Sequence, residues 1–295
     1  MDRISFLKSL AALPLMSSIN KLSDLHKAIE PLESSSILMP SLFIGHGSPM
    51  NAIELNEFSL QWQKLGKELP KPKMILCISA HWETKGTFVT ATPKPETIHD
   101  FGGFPQALFD VQYPAPGSKE WASETKNTIS STTVGLDETW GLDHGTWSIL
   151  KHVYPNADIP VLQLSIDYTK DATYHYALAK ELSTLRSKGV LIIGSGNIVH
   201  NLGMVDWSKL KTPEYGYDWA IEVNTKVRKF ISEGNHTDLI NYGKQGKAFN
   251  LSIPSAEHYL PLLYILALQN KNEKANFFND KAVMGSLTMT SVKIG

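Results

Sequence analysis

The sequence predicts an α/β fold, a single domain with a central, mostly parallel or mixed sheet flanked by helices. Three observations predict it. Short apolar runs of strand length alternate with longer segments whose apolar residues recur at helical spacing. The run from Met74 to Ser79 is apolar up to its last residue and follows Pro70 and Pro72, as expected of a strand covered on both faces. Several of these segments also end or begin at a histidine, where a buried parallel strand delivers its side chains to the crevice in which α/β proteins do chemistry.

Residues 1–37 differ from the rest. A charged start (Asp2, Arg3, Lys8) precedes a modest apolar segment broken at Pro14, and Ser34, Ser35 and Ser36 close a polar linker. This has the outline of a secretory signal, too short to span a membrane, and leaves cytoplasmic and periplasmic locations both open. No break in composition divides residues 38–295, which are expected to form one domain.

Residues 36–44 read as a first strand, ending in Gly45-His46-Gly47-Ser48. Residues 51–69 have helical spacing, with Leu55, Phe58, Leu60, Trp62 and Leu65 as the apolar positions. The next strand, 74–79, opens into His81-Trp82-Glu83. Residues 88–91 form another strand, and 99–117 a turn-rich connection of the kind that covers a site. A helix is expected over 120–131. Gly141 and Gly145 bound a turn that carries His144, with a short helix at 149–154. Residues 159–166 read as a strand, 171–188 as one helix and 190–193 as a strand that runs into Gly194-Ser195-Gly196-Asn197 and on to His200. An amphipathic helix spans 218–232. Ser255 is the expected N-cap of a helix over 255–268 that holds Glu257 and His258 in its first turn. Residues 286–292 alternate, as an edge strand does.

A formal net charge of −1 leaves no basic field for nucleic acid. The single cysteine, Cys77, lies inside an apolar run, so neither an internal disulfide nor a cysteine-ligated zinc site is available. Ten histidines make imidazole and carboxylate the expected metal ligands. His46, His81, His200 and His258 each lie at a strand end or helix start, and His144 sits in a glycine turn of similar character. His46 and His81 are about 35 residues apart, the length of one strand–helix–strand repeat, which brings two strand ends side by side. The Gly194-Ser195-Gly196 turn lacks the third glycine of a dinucleotide-binding loop, where Val199 stands. A redox metal that binds substrate and O2 needs open positions, which two histidines and one carboxylate leave on an octahedral ion. Glu257 and His258 compete for the third ligand position. A further histidine beside the ion can move a proton. His152, His175 and His236 read as packing or surface groups; His99 is a candidate for lining the pocket.

The motifs Gly45-His46-Gly47-Ser48-Pro49-Met50, Ser79-Ala80-His81-Trp82-Glu83, Gly141 to Trp147, Gly194 to Asn201 and Pro254 to Leu262, in this order, resemble the class III extradiol ring-cleaving dioxygenases. The 4,5-DOPA extradiol dioxygenase branch is the most similar, and the stretch from His99 to Gly117 resembles it too. The resemblance implies one metal ion per chain, held by His46, His81 and His258, with His200 a fourth ligand or an acid/base group. It implies a second-sphere acid/base role for His144 or His200. It implies Fe(II) for the oxygen chemistry, although Zn(II) is the ion of similar bacterial enzymes. The expected small-molecule partners are a catechol and O2, and the expected product is a ring-opened semialdehyde. Two other readings use the same residues: a zinc-dependent hydrolase and a non-catalytic metal- or ligand-binding protein. Oligomeric state and the physiological catechol are not encoded in any motif.

Overall fold

Met74, Leu76 and Ile78 pack into one apolar cluster, and Ile75 and Cys77 into another. Successive side chains of a strand point to opposite faces. A run that is apolar at every position therefore needs a cover on both sides, and the fold supplies it. The computed structural model describes residues 38–295. The leader expected over 1–37 lies outside the described residues.

In chain order, strand β1 (Ser41–Gly45) leads to helix α1 (Glu57–Glu68), strand β2 (Met74–Ser79) and the short strands β3 (Glu83–Thr84) and β4 (Thr87–Thr90). Helices α2 (Gln106–Phe109) and α3 (Lys119–Thr128), strand β5 (Val134–Asp137) and helix α4 (His144–Val153) follow. Strands β6 (Val161–Gln163) and β7 (Ile166–Asp167) precede helices α5 (Ala172–Glu181) and α6 (Ser183–Ser187) and strand β8 (Val190–Gly196). The chain ends with helices α7 (Asp218–Ser232), α8 (His236–Ile240), α9 (Lys247–Ser252) and α10 (Leu260–Ala267) and strands β9 (Ala275–Phe278), β10 (Ala282–Val283), β11 (Leu287–Thr288) and β12 (Ser291–Ile294).

The main sheet has six strands in the order β6-β2-β8-β1-β12-β9. The first four run parallel, and β12 and β9 are antiparallel additions, so the sheet is mixed, as expected. Its buried centre, β8, lies between β1 and β2. Leu178, Leu182, Leu262 and Tyr264, from α5, α10 and the residue after α5, cover one face; Trp62, Leu65, Trp147 and Leu150 from α1 and α4 cover the other.

Several sequence expectations need correction. The strands leading to His46 and His81 are not neighbours, because β8 pairs with both. The segment 159–166 is two strands: Leu164 donates to Cys77 O and Ser165 to Phe88 O, so the chain changes partner and Ile166–Asp167 pairs with β3. The helix expected over 171–188 is split at Leu182, whose N–H bonds back only three residues, to Ala179 O. Strand β12 is interior and β9 forms the edge, since an alternating pattern reveals a half-covered face but not a partner. Helix α1 starts late, at an Asn56 capping box, and leaves Leu55 and Leu60 exposed. Ser255 is no N-cap; its hydroxyl donates to Glu257, and α10 begins at Leu260, next to Pro261, which has no N–H to satisfy.

At the end of β1 away from His46, Arg186 is buried and donates to Met39 O at 2.6 Å, to Leu268 O at 2.7 Å and to the Glu273 carboxylate. Arg186→Ala is expected to cost about 3–5 kcal/mol, because it strands a carboxylate and two carbonyls in a largely dry place. Urea unfolding measures this; a change below about 1 kcal/mol would show that the pair contributes little.

Candidate metal centre

Strand register brings the first two histidines together. Gly45 of β1 lies opposite Gly196 of β8, and Ser79 of β2 lies opposite Ser195. His46, one residue past β1, therefore emerges level with His81, two residues past β2. Their Nε2 atoms are 3.1 Å apart, across the end of β8. The loop before α10 adds His258: its carbonyl accepts from Asn197 N–H at 2.9 Å and presses on Gly196, where a Cβ would lie 2.1 Å from it. Gly196, in a turn that fails the dinucleotide-loop pattern, is there for this close backbone approach.

One ligand atom from each of His46, His81 and His258 can be chosen so that all lie within 4.8 Å of one another. Hydrogen bonds assign the tautomers of His46 and His258, and a nearby carboxylate favours the same one in His81. Ser195 Oγ donates to Gly145 O at 2.6 Å, so at 3.0 Å it accepts from His46 Nδ1–H. Glu257 Oε1 accepts from His258 Nδ1–H at 3.2 Å, and Asp100 Oδ2 lies 3.4 Å from His81 Nδ1. Each ring has its Nδ1 turned to an oxygen, which leaves Nε2 as a lone pair; metal-binding histidines are held this way.

Two lone pairs 3.1 Å apart repel unless a cation sits between them. Protons are poor candidates. Burial and the neighbouring imidazoles hold His46 and His258 well below the usual histidine range and bring His81 to about 3. A metal fits. Two imidazole nitrogens about 2.1 Å from one ion and roughly at right angles are about 3.0 Å apart.

Two more histidines flank the cluster. His144 is the first residue of α4, and its ring centroid lies 3.9 Å from that of His81. It is not in a glycine turn: Asp143 caps the helix by accepting from Thr146 N–H, and Gly145 is helical. His200 stacks on His258 with ring centroids 3.5 Å apart and planes 6° from parallel. It groups with Glu257 and His258 rather than with His46 and His81. Burial, partly opposed by Glu257, lowers its pKa to about 4.

The remaining histidines are fixed elsewhere. His99 bonds to Val111 O at 3.0 Å and belongs to an aromatic group with Phe101, Phe109 and Trp147. Phe101 stands between it and His144, edge-on to the latter at 5.5 Å. His152 bonds to Asn51 O, His175 to Asp167 O and the Tyr264 hydroxyl, and His236 to the Tyr176 hydroxyl. Trp82 stacks on Trp140, and the Tyr259 hydroxyl donates to Leu239 O. Sequence reasoning missed Ser195 and Asp100. Asp100 follows His99 in the 99–117 connection, and no local pattern marks it singly.

The model of the catalytic LigB subunit of aromatic ring-opening dioxygenase matches residues 41–294. The chain belongs to the LigB family. It is thus an extradiol aromatic ring-opening dioxygenase by family, and the histidine cluster lies where its parallel strands end. Among LigB relatives, a 4,5-DOPA dioxygenase extradiol of Escherichia coli (strain K12) is 46% identical over 271 residues, 90% of this chain and 98% of that protein. One from Beta vulgaris is 35% identical over 88% of this chain and 98% of its own length. A crystal structure of an uncharacterized Escherichia coli K12 protein superposes with a TM-score of 0.76 at 41% identity, covering 87% of this chain and all of that one. Among the described residues, no helix of this LigB chain is long and apolar enough to cross a membrane.

Proposed function

We propose that residues 38–295 form a catalytic domain that opens the ring of a DOPA-like catechol with O2, at a metal ion held by His46, His81 and His258. The carrying observation is the arrangement of these three imidazoles, each with Nδ1 facing an oxygen and Nε2 left free. The names of the Escherichia coli and Beta vulgaris relatives support the substrate class. Glu257 serves as the partner of His258 Nδ1, which favours His258 over Glu257 as third ligand.

A ferrous ion, which His46, His81 and His258 would hold, would supply the electron path between catecholate and O2. The protein does the rest. His144 lies beside His81, and His200 against His258, so the centre has a proton acceptor on either side. We assign His144 to accept a phenolic proton through its Nε2 and to return it as the ring opens. His200, neutral at pH 7, is the second such group, and its stack on His258 restricts that ring. Phe101 offers an aromatic edge close to His144 against which a catechol can pack.

The test is oxygen uptake by protein reconstituted anaerobically with Fe(II), given L-DOPA and a panel of simple catechols, with absorbance followed for a yellow semialdehyde. Uptake matched by product is expected with iron and none with zinc, which has no accessible redox change. No uptake with any catechol would sink this reading and favour hydrolysis by a zinc-bound water.

A further inference from the structure

We propose that Asp100 is a positioning residue, whose carboxylate sets the orientation and tautomer of His144 while also facing His81. This rests on the assignment of His144 to proton transfer.

Asp100 is exposed as a residue between half-buried neighbours, yet its side chain turns inward and is only 18% exposed. Oδ1 accepts the backbone N–H of His144 at 2.9 Å, and Oδ2 accepts from His144 Nδ1 at the same distance. The residue is thus gripped at backbone and ring by one carboxylate. Oδ2 also lies 3.4 Å from His81 Nδ1. One oxygen therefore faces both a proposed ligand and the proposed proton acceptor, whose rings are 3.9 Å apart. A carboxylate oxygen only accepts, so the His144 proton sits on Nδ1 and its Nε2 lone pair is left for substrate.

Helix capping alone does not account for the contact. Asp143 already caps α4 through Thr146 N–H, and a cap has no use for a bond to the imidazole. The neighbouring Phe101 packs edge-on to the same ring, so consecutive residues of this connection fix His144 from two sides. Beyond them Gly102 and Gly103 are exposed, with no atom within 4 Å of a Cβ built on either, which leaves Asp100 as the inward anchor.

Asp100→Asn tests this. The amide keeps an oxygen for the His144 backbone N–H but turns an NH2 toward Nδ1, which must then accept, moving the ring proton to Nε2. The first readout is 15N NMR of zinc-loaded, histidine-labelled protein, with the His144 signals assigned by their loss in His144→Gln. The parent should show the Nδ1–H form and Asp100→Asn the Nε2–H form. With L-DOPA and saturating iron, kcat should fall by about 10³–10⁴-fold, as when a histidine is held in the wrong tautomer, while KM stays within about twofold; metal affinity should fall by no more than about 10–100-fold, because Oδ2 also faces His81 Nδ1. Asp100→Glu, which restores the acceptor, should recover part of kcat. An unchanged tautomer, or a kcat within about threefold of the parent at saturating iron, would each overturn the proposal. A tautomer flip in a protein that consumes no oxygen with any catechol would uphold the positioning of His144 and remove only the ring-opening reading.

Discussion

His81→Ala is expected to abolish metal retention and oxygen uptake together. The ring of His81 reaches within 3.1 Å of His46 Nε2 and packs on His144, so its loss removes a proposed ligand and opens the centre to water. The remaining His46 and His258 make an incomplete site, and an ion held by two imidazoles exchanges into a chelating buffer. Metal analysis after dialysis, run beside an oxygen electrode, reads both quantities. Thermal unfolding gives a third reading, because an ion that binds only the folded chain raises Tm. The parent should gain stability on adding metal and His81→Ala should not. His175→Gln is the contrast: His175 is buried but bonds to the Tyr264 hydroxyl and Asp167 O, so its metal content should match the parent. A His81→Ala protein that keeps its metal and turns over normally would remove this residue from the site.

His46 and His81 could be found in the sequence because a short, wholly apolar run has few alternatives to a buried strand. Parallel strands joined by helices also end at one edge of the sheet, so the residues that follow them collect there. The order of the strands was not legible. Nothing local in Val190 to Gly196 says that it inserts between β1 and β2, yet that insertion supplies Ser195, the partner of His46 Nδ1. Gly145 reads as a turn residue, and nothing in the sequence accounts for Gly196 once the dinucleotide-loop match fails at Val199. Both are small because other atoms press on them: Ser79 and His81 on the first, the His258 carbonyl on the second. Asp100 was invisible for another reason. It lies in a connection without periodicity, and its partner is 44 residues further on. An aspartate in such a segment looks the same whether it faces water or an imidazole.

Gly145→Ala should impair metal binding although the residue has no side chain to donate. A Cβ at this position would sit 2.6 Å from Ser79 Oγ, 2.9 Å from His81 Cδ2 and 3.2 Å from Ser195 Oγ. Relief by moving the serines is expensive. Ser79 Oγ donates to Asp143 at 2.7 Å, and Ser195 Oγ is tied both to the Gly145 carbonyl and to His46. The His81 ring is the freest of the three and is expected to move, which breaks its alignment with His46. Crowding of this kind costs about 1–3 kcal/mol of stability. Disturbing groups that orient metal ligands typically lowers metal affinity about 10–100-fold. Helix propensity acts in the opposite direction: alanine in place of glycine inside a helix favours folding by about 1 kcal/mol. The two effects differ in their metal dependence. Without metal, Gly145→Ala should be close to the parent in stability or modestly weaker. With metal, the gap in Tm should widen, because the variant binds the ion less tightly. A gap that stays constant across metal concentrations would mean that the methyl group is absorbed without moving His81, and that the small residue at this position serves the packing of α4 alone.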